Sequence, residues 1–333
     1  MKKIIDMETY FYPQTLLAYF AGRSEYPKWN PEKQQMELSA ACVLDNPKYI
    51  AKMQESLGAR ISQMDADGIE KAVLSVELGL HMVKQDDVED VVAQTKLVND
   101  AIYAAMQAYP NRFLGVAAVQ SLDIPEAVAE LERCVKDYGF VGCQVFSDYS
   151  NMQPDNEAFW PIFEKAAELN VPVFIHTVIP QMGRIVEFGP QMYALGRGND
   201  TVITMARLIA KGVFDRYPNL KVVLGNFGEL LPFVMERMDH YTELFPDKKA
   251  PAVNQHPVQY YFKNNIWITT SGICSEPMLN CAYEILGADR IMLSTNYPTV
   301  AMNKTAAFAQ NANLSEADKE KMVYTNACHV LNI

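Results

Sequence analysis

The sequence predicts an α/β chain folded as a single (β/α)₈ TIM barrel, and three observations carry that expectation. Its 333 residues fit one barrel of roughly 250 residues with insertions better than one small domain. Short, wholly apolar runs alternate with amphipathic stretches from end to end, as repeated βα units around a parallel sheet require. The runs number eight, which closes a barrel; an open doubly wound sheet is the alternative.

In chain order the strands are expected at 3–6, 71–76, 113–117, 141–145, 171–176, 221–225, 266–270 and 291–294. Most are apolar throughout, as strands buried on both faces should be. Asn46 before Pro47, Asp123 before Ile124 and Pro125, and the stretch Asp155 to Glu157 are expected to open helices, each setting a capping or acidic side chain against free N–H groups. Periodic faces follow, such as Val128, Leu131 and Val135, then Phe159, Ile162, Phe163 and Ala166. Two segments exceed the minimal unit: 10–47, rich in aromatic residues, and 177–199, rich in glycine and proline. Both follow strand C-termini, the active face of a barrel, so they are expected to wall a pocket or form a subunit interface. The whole chain, 1–333, reads as one domain.

Forty acidic against 29 basic residues give a net charge of −11, which opposes contact with nucleic acid or anionic lipid. The stretch from Met1 to Asp6 lacks a leader's apolar region, and no run is long enough to span a membrane. The six cysteines, Cys42, Cys134, Cys143, Cys274, Cys281 and Cys328, form no CxxC pair and read as core residues of a reduced, cytoplasmic chain.

Polar residues at strand C-termini converge on one pocket in a barrel, so they carry the chemistry. Glu8 and Tyr10 lie two apart past the first strand and point the same way if it persists. His176 ends the fifth strand, Asn226 the sixth and Asn296 the eighth. Of the five histidines His176 is the candidate; His81 falls in a loop, and His240, His256 and His329 lie where surface or interface roles are expected.

The runs Ile5-Asp6-Met7-Glu8-Thr9-Tyr10-Phe11, Leu224-Gly225-Asn226-Phe227-Gly228-Glu229 with Arg237-Met238-Asp239-His240, Ile268-Thr269-Thr270-Ser271-Gly272 and Ser294-Thr295-Asn296-Tyr297-Pro298, together with His176, are similar to the aminocarboxymuconate-semialdehyde decarboxylase branch of the amidohydrolase superfamily. The likeness is greatest to γ-resorcylate and 2,3-dihydroxybenzoate decarboxylases and runs over nearly the whole chain. It implies an amidohydrolase-type barrel. In that family the first strand supplies Glu-x-His or His-x-His metal ligands, the fifth a His, the eighth an Asp, and the sixth a proton-shuttling His. Glu8 and His176 match; Tyr10, Asn226 and Asn296 stand in the other places.

Asn296 keeps a carbonyl oxygen but not the charge that holds a dication, and Asn226 cannot carry a proton. Tyr10 could ligate only as a phenolate. The expected cofactor is therefore none, or a weakly bound zinc or manganese ion held by Glu8, His176 and Asn296, and Glu8 and His176 could instead hydrogen-bond each other. The resemblance also implies that Arg237 holds a substrate carboxylate in a neighbouring subunit; an ion pair with Glu236 or Asp239 is the alternative. Three readings follow. The first is a homodimeric or higher homo-oligomeric lyase, decarboxylase-like, or hydrolase, acting on a small aromatic or conjugated acid or phenol through Glu8, Tyr10, His176 and Asn226. The others are an inactive barrel that binds small molecules and an ordinary metal-dependent decarboxylase with unusual ligands.

Overall fold

The computed structural model describes residues 3–40, 42–77, 80–83, 88–149, 151–178, 190–245 and 252–333. Strand β1 (Ile4–Tyr10) opens the barrel. A small antiparallel sheet of β2 (Lys28–Asn30), β3 (Gln35–Ser39) and β4 (Cys42–Leu44) follows, within the expected insertion 10–47. The barrel resumes with β5 (Ile69–Ser75), β6 (Phe113–Ala118), β7 (Gly142–Phe146), β8 (Val173–His176), β9 (Val222–Leu224), β10 (Ile266–Thr269) and β11 (Ile291–Met292). The eight strands lie side by side in chain order, and each neighbouring pair is parallel. Beyond β11 the chain returns to β1: Met7 N donates to the Leu293 carbonyl at 3.2 Å, Tyr10 N donates to the Tyr297 carbonyl at 2.9 Å, and Thr9 pairs with Tyr297. The eight predicted strands are all present, the last four shorter than expected.

The interior is filled from alternate positions of these strands, including Ile5, Met7, Val116, Phe174, Val223, Trp267 and Met292. Ala327, Val330 and Leu331 of the last helix, Asn326–Leu331, pack onto the same cluster and plug the lower end. The opposite strand faces join the larger core beneath the helices, with Val98, Ile102, Leu131 and Phe163. Each such side chain stabilises by about 1.5–3 kcal/mol when fully withdrawn from water. A buried amide locks one helix to the sheet: Asn99 donates to Ala118 O at 3.2 Å and accepts from Ala118 N at 2.8 Å.

All three expected helix starts match. Asn46 accepts from Lys48 N and Tyr49 N at 3.0 and 3.2 Å, and Asp123 accepts from Glu126 N at 3.1 Å. At the third, Asn156 is the cap, accepting from Ala158 N at 3.0 Å, while the adjacent Asp155 is buried against Arg207 and Lys211 at 2.6 and 2.9 Å. Asp155 thus fastens the helix Pro190–Ala210 rather than opening its own. Part of the expected insertion 177–199, residues 179–189, lies outside the described residues. Among the described residues no helix is long and apolar enough to cross a membrane.

Candidate active site at the C-terminal mouth of the barrel

A bulge in β1 aims the site. Asp6 pairs with Ala72 and Thr9 with Leu74, so two residues of β1 stand opposite one of β5. An extra residue shifts the side-chain alternation by one, which is how bulges redirect side chains beside active sites. Met7, Glu8 and Tyr10 consequently all border one small internal void, with Gln144 and His176, large enough for about one water. Asp6 fixes the bulge by accepting from Thr295 N at 2.9 Å, Thr295 Oγ1 at 2.5 Å and Glu8 N at 3.4 Å. Burial pushes Asp6 up to about 6 despite those bonds.

Glu8 accepts from Thr269 Oγ1 at 2.8 Å and from the Tyr10 hydroxyl at 3.3 Å. Burial raises its carboxyl above the ordinary range, opposed by hydrogen bonds from Ser271, Thr269, Tyr10 and Ser294. Tyr10 stands edge-on to His176 with ring centroids 5.4 Å apart. The alternative in which Glu8 and His176 hydrogen-bond each other does not hold: the Glu8 oxygens accept from Tyr10 and Thr269. Burial, with the Glu8 charge, holds the Tyr10 phenol well above its usual value, so it is a neutral donor.

His176 is pushed down to about 4 by burial, Arg197 adding to the fall and Glu77 opposing it. It is a neutral imidazole at pH 7. Phe146 also meets it edge-on at 5.4 Å, and His81 stacks on Phe146 at 3.9 Å. His81 is half-buried, and burial with its neighbours His176 and Arg197 pushes it down to about 3.

Asn226 and Asn296 meet over Gly272. A Cβ there would lie 3.3 Å from Asn296 Nδ2 and 3.7 Å from Asn226 Oδ1. Asn226 Nδ2 donates to Glu229 Oε1 at 2.5 Å, and burial raises Glu229 to about 6. The β9 loop bears concentrated backbone strain, with φ of 50°, 55°, 73° and 58° at Asn226, Phe227, Gly228 and Glu229. Such strain persists where surrounding packing over-determines it, and it gathers at functional sites. At Gly228 a Cβ would come 2.9 Å from Ile268 Cγ2. Gly228→Ala is expected to lower stability by about 1–3 kcal/mol, read as a shifted urea midpoint with unchanged slope.

Arg237 is exposed on the helix Leu231–Leu244 and lies over the Tyr241 ring at 5.4 Å. Among the described residues it makes no ion pair with Glu236 or Asp239; Asp239 accepts from Val258 N at 2.6 Å and Gln259 N at 3.3 Å and caps the next helix. His240 is exposed on the same helix.

The donor set at the mouth is a poor match for a dication. Among the described residues no three His, Cys, Asp or Glu side chains come together to hold a metal. Of the places where the resemblance implies ligands, Glu8 and His176 carry such side chains, Tyr10 keeps its proton, and Asn296 is an amide. A catalytic zinc site uses three protein ligands.

Residues 6–333 match the family model described as Amidohydrolase. The chain belongs to the amidohydrolase family. It is 33% identical to a γ-resorcylate decarboxylase of Polaromonas sp. strain JS666 over 302 residues, covering 87% of this chain and 91% of that protein. A 2,6-dihydroxybenzoate decarboxylase from Rhizobium superimposes with a TM-score of 0.85 at 27% identity, covering 100% of this chain and 99% of the other. A dihydroxybenzoic acid decarboxylase from Polaromonas sp. JS666, solved with manganese and the inhibitor 2-nitroresorcinol, gives 0.85 at 29% identity, covering 100% and 97%.

Several residues of this amidohydrolase mouth escaped the sequence reading. Glu77 lies just past β5, accepts from the Tyr49 hydroxyl, and stands 3.7 Å from Arg197 Nη1. Tyr49, Glu77 and Arg197 share a cavity of about 280 Å³ with Asn46 and Thr299. Glu77 follows a strand end like the residues that were chosen, so the same rule reaches it. Arg197 and His81 carry no comparable local signal.

Proposed function

We propose that this amidohydrolase is a carboxy-lyase that removes carbon dioxide from a small hydroxylated aromatic acid. The observation that carries the reading is the convergence of Glu8, Tyr10, His176, Asn226 and Asn296 on one barrel mouth, in a chain similar over its length to decarboxylases of dihydroxybenzoates. As the carbon–carbon bond breaks, its electron pair stays on the ring carbon, which takes a proton while carbon dioxide leaves. That proton needs a donor held near neutral pH by its surroundings. Tyr10 keeps its proton throughout, and Glu229, at about 6, is protonated in about one molecule in ten at pH 7. His176, neutral, orients the ring or its hydroxyls, and Asn226 fixes Glu229.

Manganese accompanies a solved relative, and Glu8 and His176 are the residues that would hold a divalent ion here, weakly. The Glu8 oxygens are already engaged by Thr269 and Tyr10, and two amides offset little of the cost of stripping water from a dication. The helix bearing Arg237 supports a homodimer. Leu230, Phe233, Tyr241 and Leu244 are 41–59% exposed at intervals of three to eight residues, an apolar stripe suited to a second copy, and Arg237 sits within it. In that dimer Arg237 reaches the neighbouring mouth. Six cysteines without disulfides accord with a cytoplasmic setting.

The test is incubation of the purified protein with a panel of mono- and dihydroxybenzoates, followed by mass spectrometry. Loss of carbon dioxide from at least one acid, reduced at least roughly 100-fold in kcat by Glu8→Gln, is the expected result. Hydrolysis products, or binding without turnover of any acid, would move the reading to a hydrolase or to a binding barrel.

A further inference from the structure

Six buried side-chain polar atoms make no hydrogen bond among the described residues, and four of them surround the mouth: Tyr12 Oη, His81 Nδ1, His176 Nδ1 and Arg197 Nε. Folded proteins leave few such atoms, so a cluster marks where a ligand supplies the partner. The Tyr12 hydroxyl lies near Tyr49 without forming a bond of normal geometry. Arg197 also gains no hydrogen bond from Glu77, since 3.7 Å is an ion-pair distance only.

Arg197 is held in place from below. Three residues on, Asp200 accepts from the Ser147 hydroxyl, Thr204 donates to the Ser147 carbonyl at 3.1 Å, and both anchor the helix to the end of β7. The neighbouring Gly198 has no side chain because Glu229 fills the space: a Cβ would come 2.7 Å from its Oε2. The guanidinium is thereby fixed beside the cavity it shares with Tyr49 and Glu77, and its charge reaches Tyr10, Tyr12, His81, His176 and Glu229.

We infer that Arg197 is this chain's own anchor for the substrate carboxylate, with the Tyr12 hydroxyl as a second donor and the His176 and His81 imidazoles facing the ring hydroxyls. The inference rests on the carboxy-lyase reading and adds to it a recognition residue delivered in the same chain, distinct from Arg237 on the exposed helix. A planar fork with an unsatisfied N–H suits a carboxylate far better than a neutral phenol. Glu77 then has a defined part. Its carboxylate competes for the same guanidinium while Tyr49 holds it aside, so the empty site keeps its cation compensated and a bound acid displaces the ion pair.

Calorimetric titration of the full-length protein with 2,6-dihydroxybenzoate, benzoate and resorcinol tests this. Arg197→Gln is expected to weaken both acids roughly 10- to 100-fold and to leave resorcinol within about twofold, the loss set by hydrogen bonds to a charged group. Glu77→Gln, which keeps an acceptor for Tyr49, is expected to tighten both acids several-fold, an opposite sign that a damaged fold cannot produce. Equal weakening of acids and resorcinol by Arg197→Gln, or weakening of the acids by Glu77→Gln, would make the pair a scaffold and overturn the inference. If the wild-type protein binds resorcinol but neither acid, the anchor is likewise refuted. If it binds none of the three, the carboxy-lyase reading fails first and the anchor with it.

Discussion

The combined variant Tyr10→His, Asn226→His and Asn296→Asp is expected to bind manganese or zinc on the order of 100-fold or more tightly than the parent chain. It adds an imidazole and a carboxylate beside Glu8 and His176, restoring the ligand set that the resemblance implies for the family, and Asn226→His restores the strand-six histidine. Removing a mere outer-shell partner already costs 10–100-fold in metal affinity, so gaining inner ligands should exceed that. The geometry favours the change, because Tyr10 already borders Glu8 and His176, and Asn226 and Asn296 already meet over Gly272. Single reversions should do much less, since residues that act as one unit are non-additive. Metal titration by calorimetry reads the result. No gain in the triple variant would mean that the bulge in β1 or the strained β9 loop has moved the side chains out of ligand geometry.

The second large effect is on acid stability. His81 and His176 stay neutral in the fold down to about 3 and about 4, whereas an unfolded histidine takes a proton below about 6.5. Their contribution is thus complete above pH 6.5 and is lost as pH falls toward 4, at up to about 1.4 kcal/mol per pH unit for each. Asp6 and Glu229, both raised to about 6, act in the opposite sense, adding stability as pH falls below 6. The histidine term is removed in part by His81→Gln, so urea unfolding of that variant between pH 7 and pH 4 is expected to give a shallower loss, by about 2–3 kcal/mol at pH 4. An unchanged slope would place His81 in contact with solvent.

The barrel was legible because it is written in local patterns: eight apolar runs, each short, with capping residues between them. The strand-end rule reached Glu8, Tyr10, His176, Asn226 and Asn296, since position at a strand terminus needs no knowledge of what faces it. What that rule cannot supply is the pairing across the mouth. That Tyr10 rather than His176 binds Glu8 depends on a one-residue bulge fixed by Asp6 and Thr295, which are 289 positions apart in the chain. His81 looked like a loop residue because its burial comes from Phe146 and His176, on other units of the barrel. Arg197 is invisible for the same reason: it lies within a helix, and only the docking of that helix on Ser147 and Glu229 brings it to the pocket.

In the proposed carboxy-lyase, this mouth decarboxylates a hydroxybenzoate with the protein's own side chains. The most direct test is the yield of phenol and carbon dioxide from 2,6-dihydroxybenzoate by protein dialysed exhaustively against a chelator, with metal content measured on the same sample. Equimolar phenol and carbon dioxide from metal-free protein, at the rate of the undialysed sample, is the predicted result. Product that appears only after manganese is added back would contradict it, and would assign Glu8 and His176 to a metal after all.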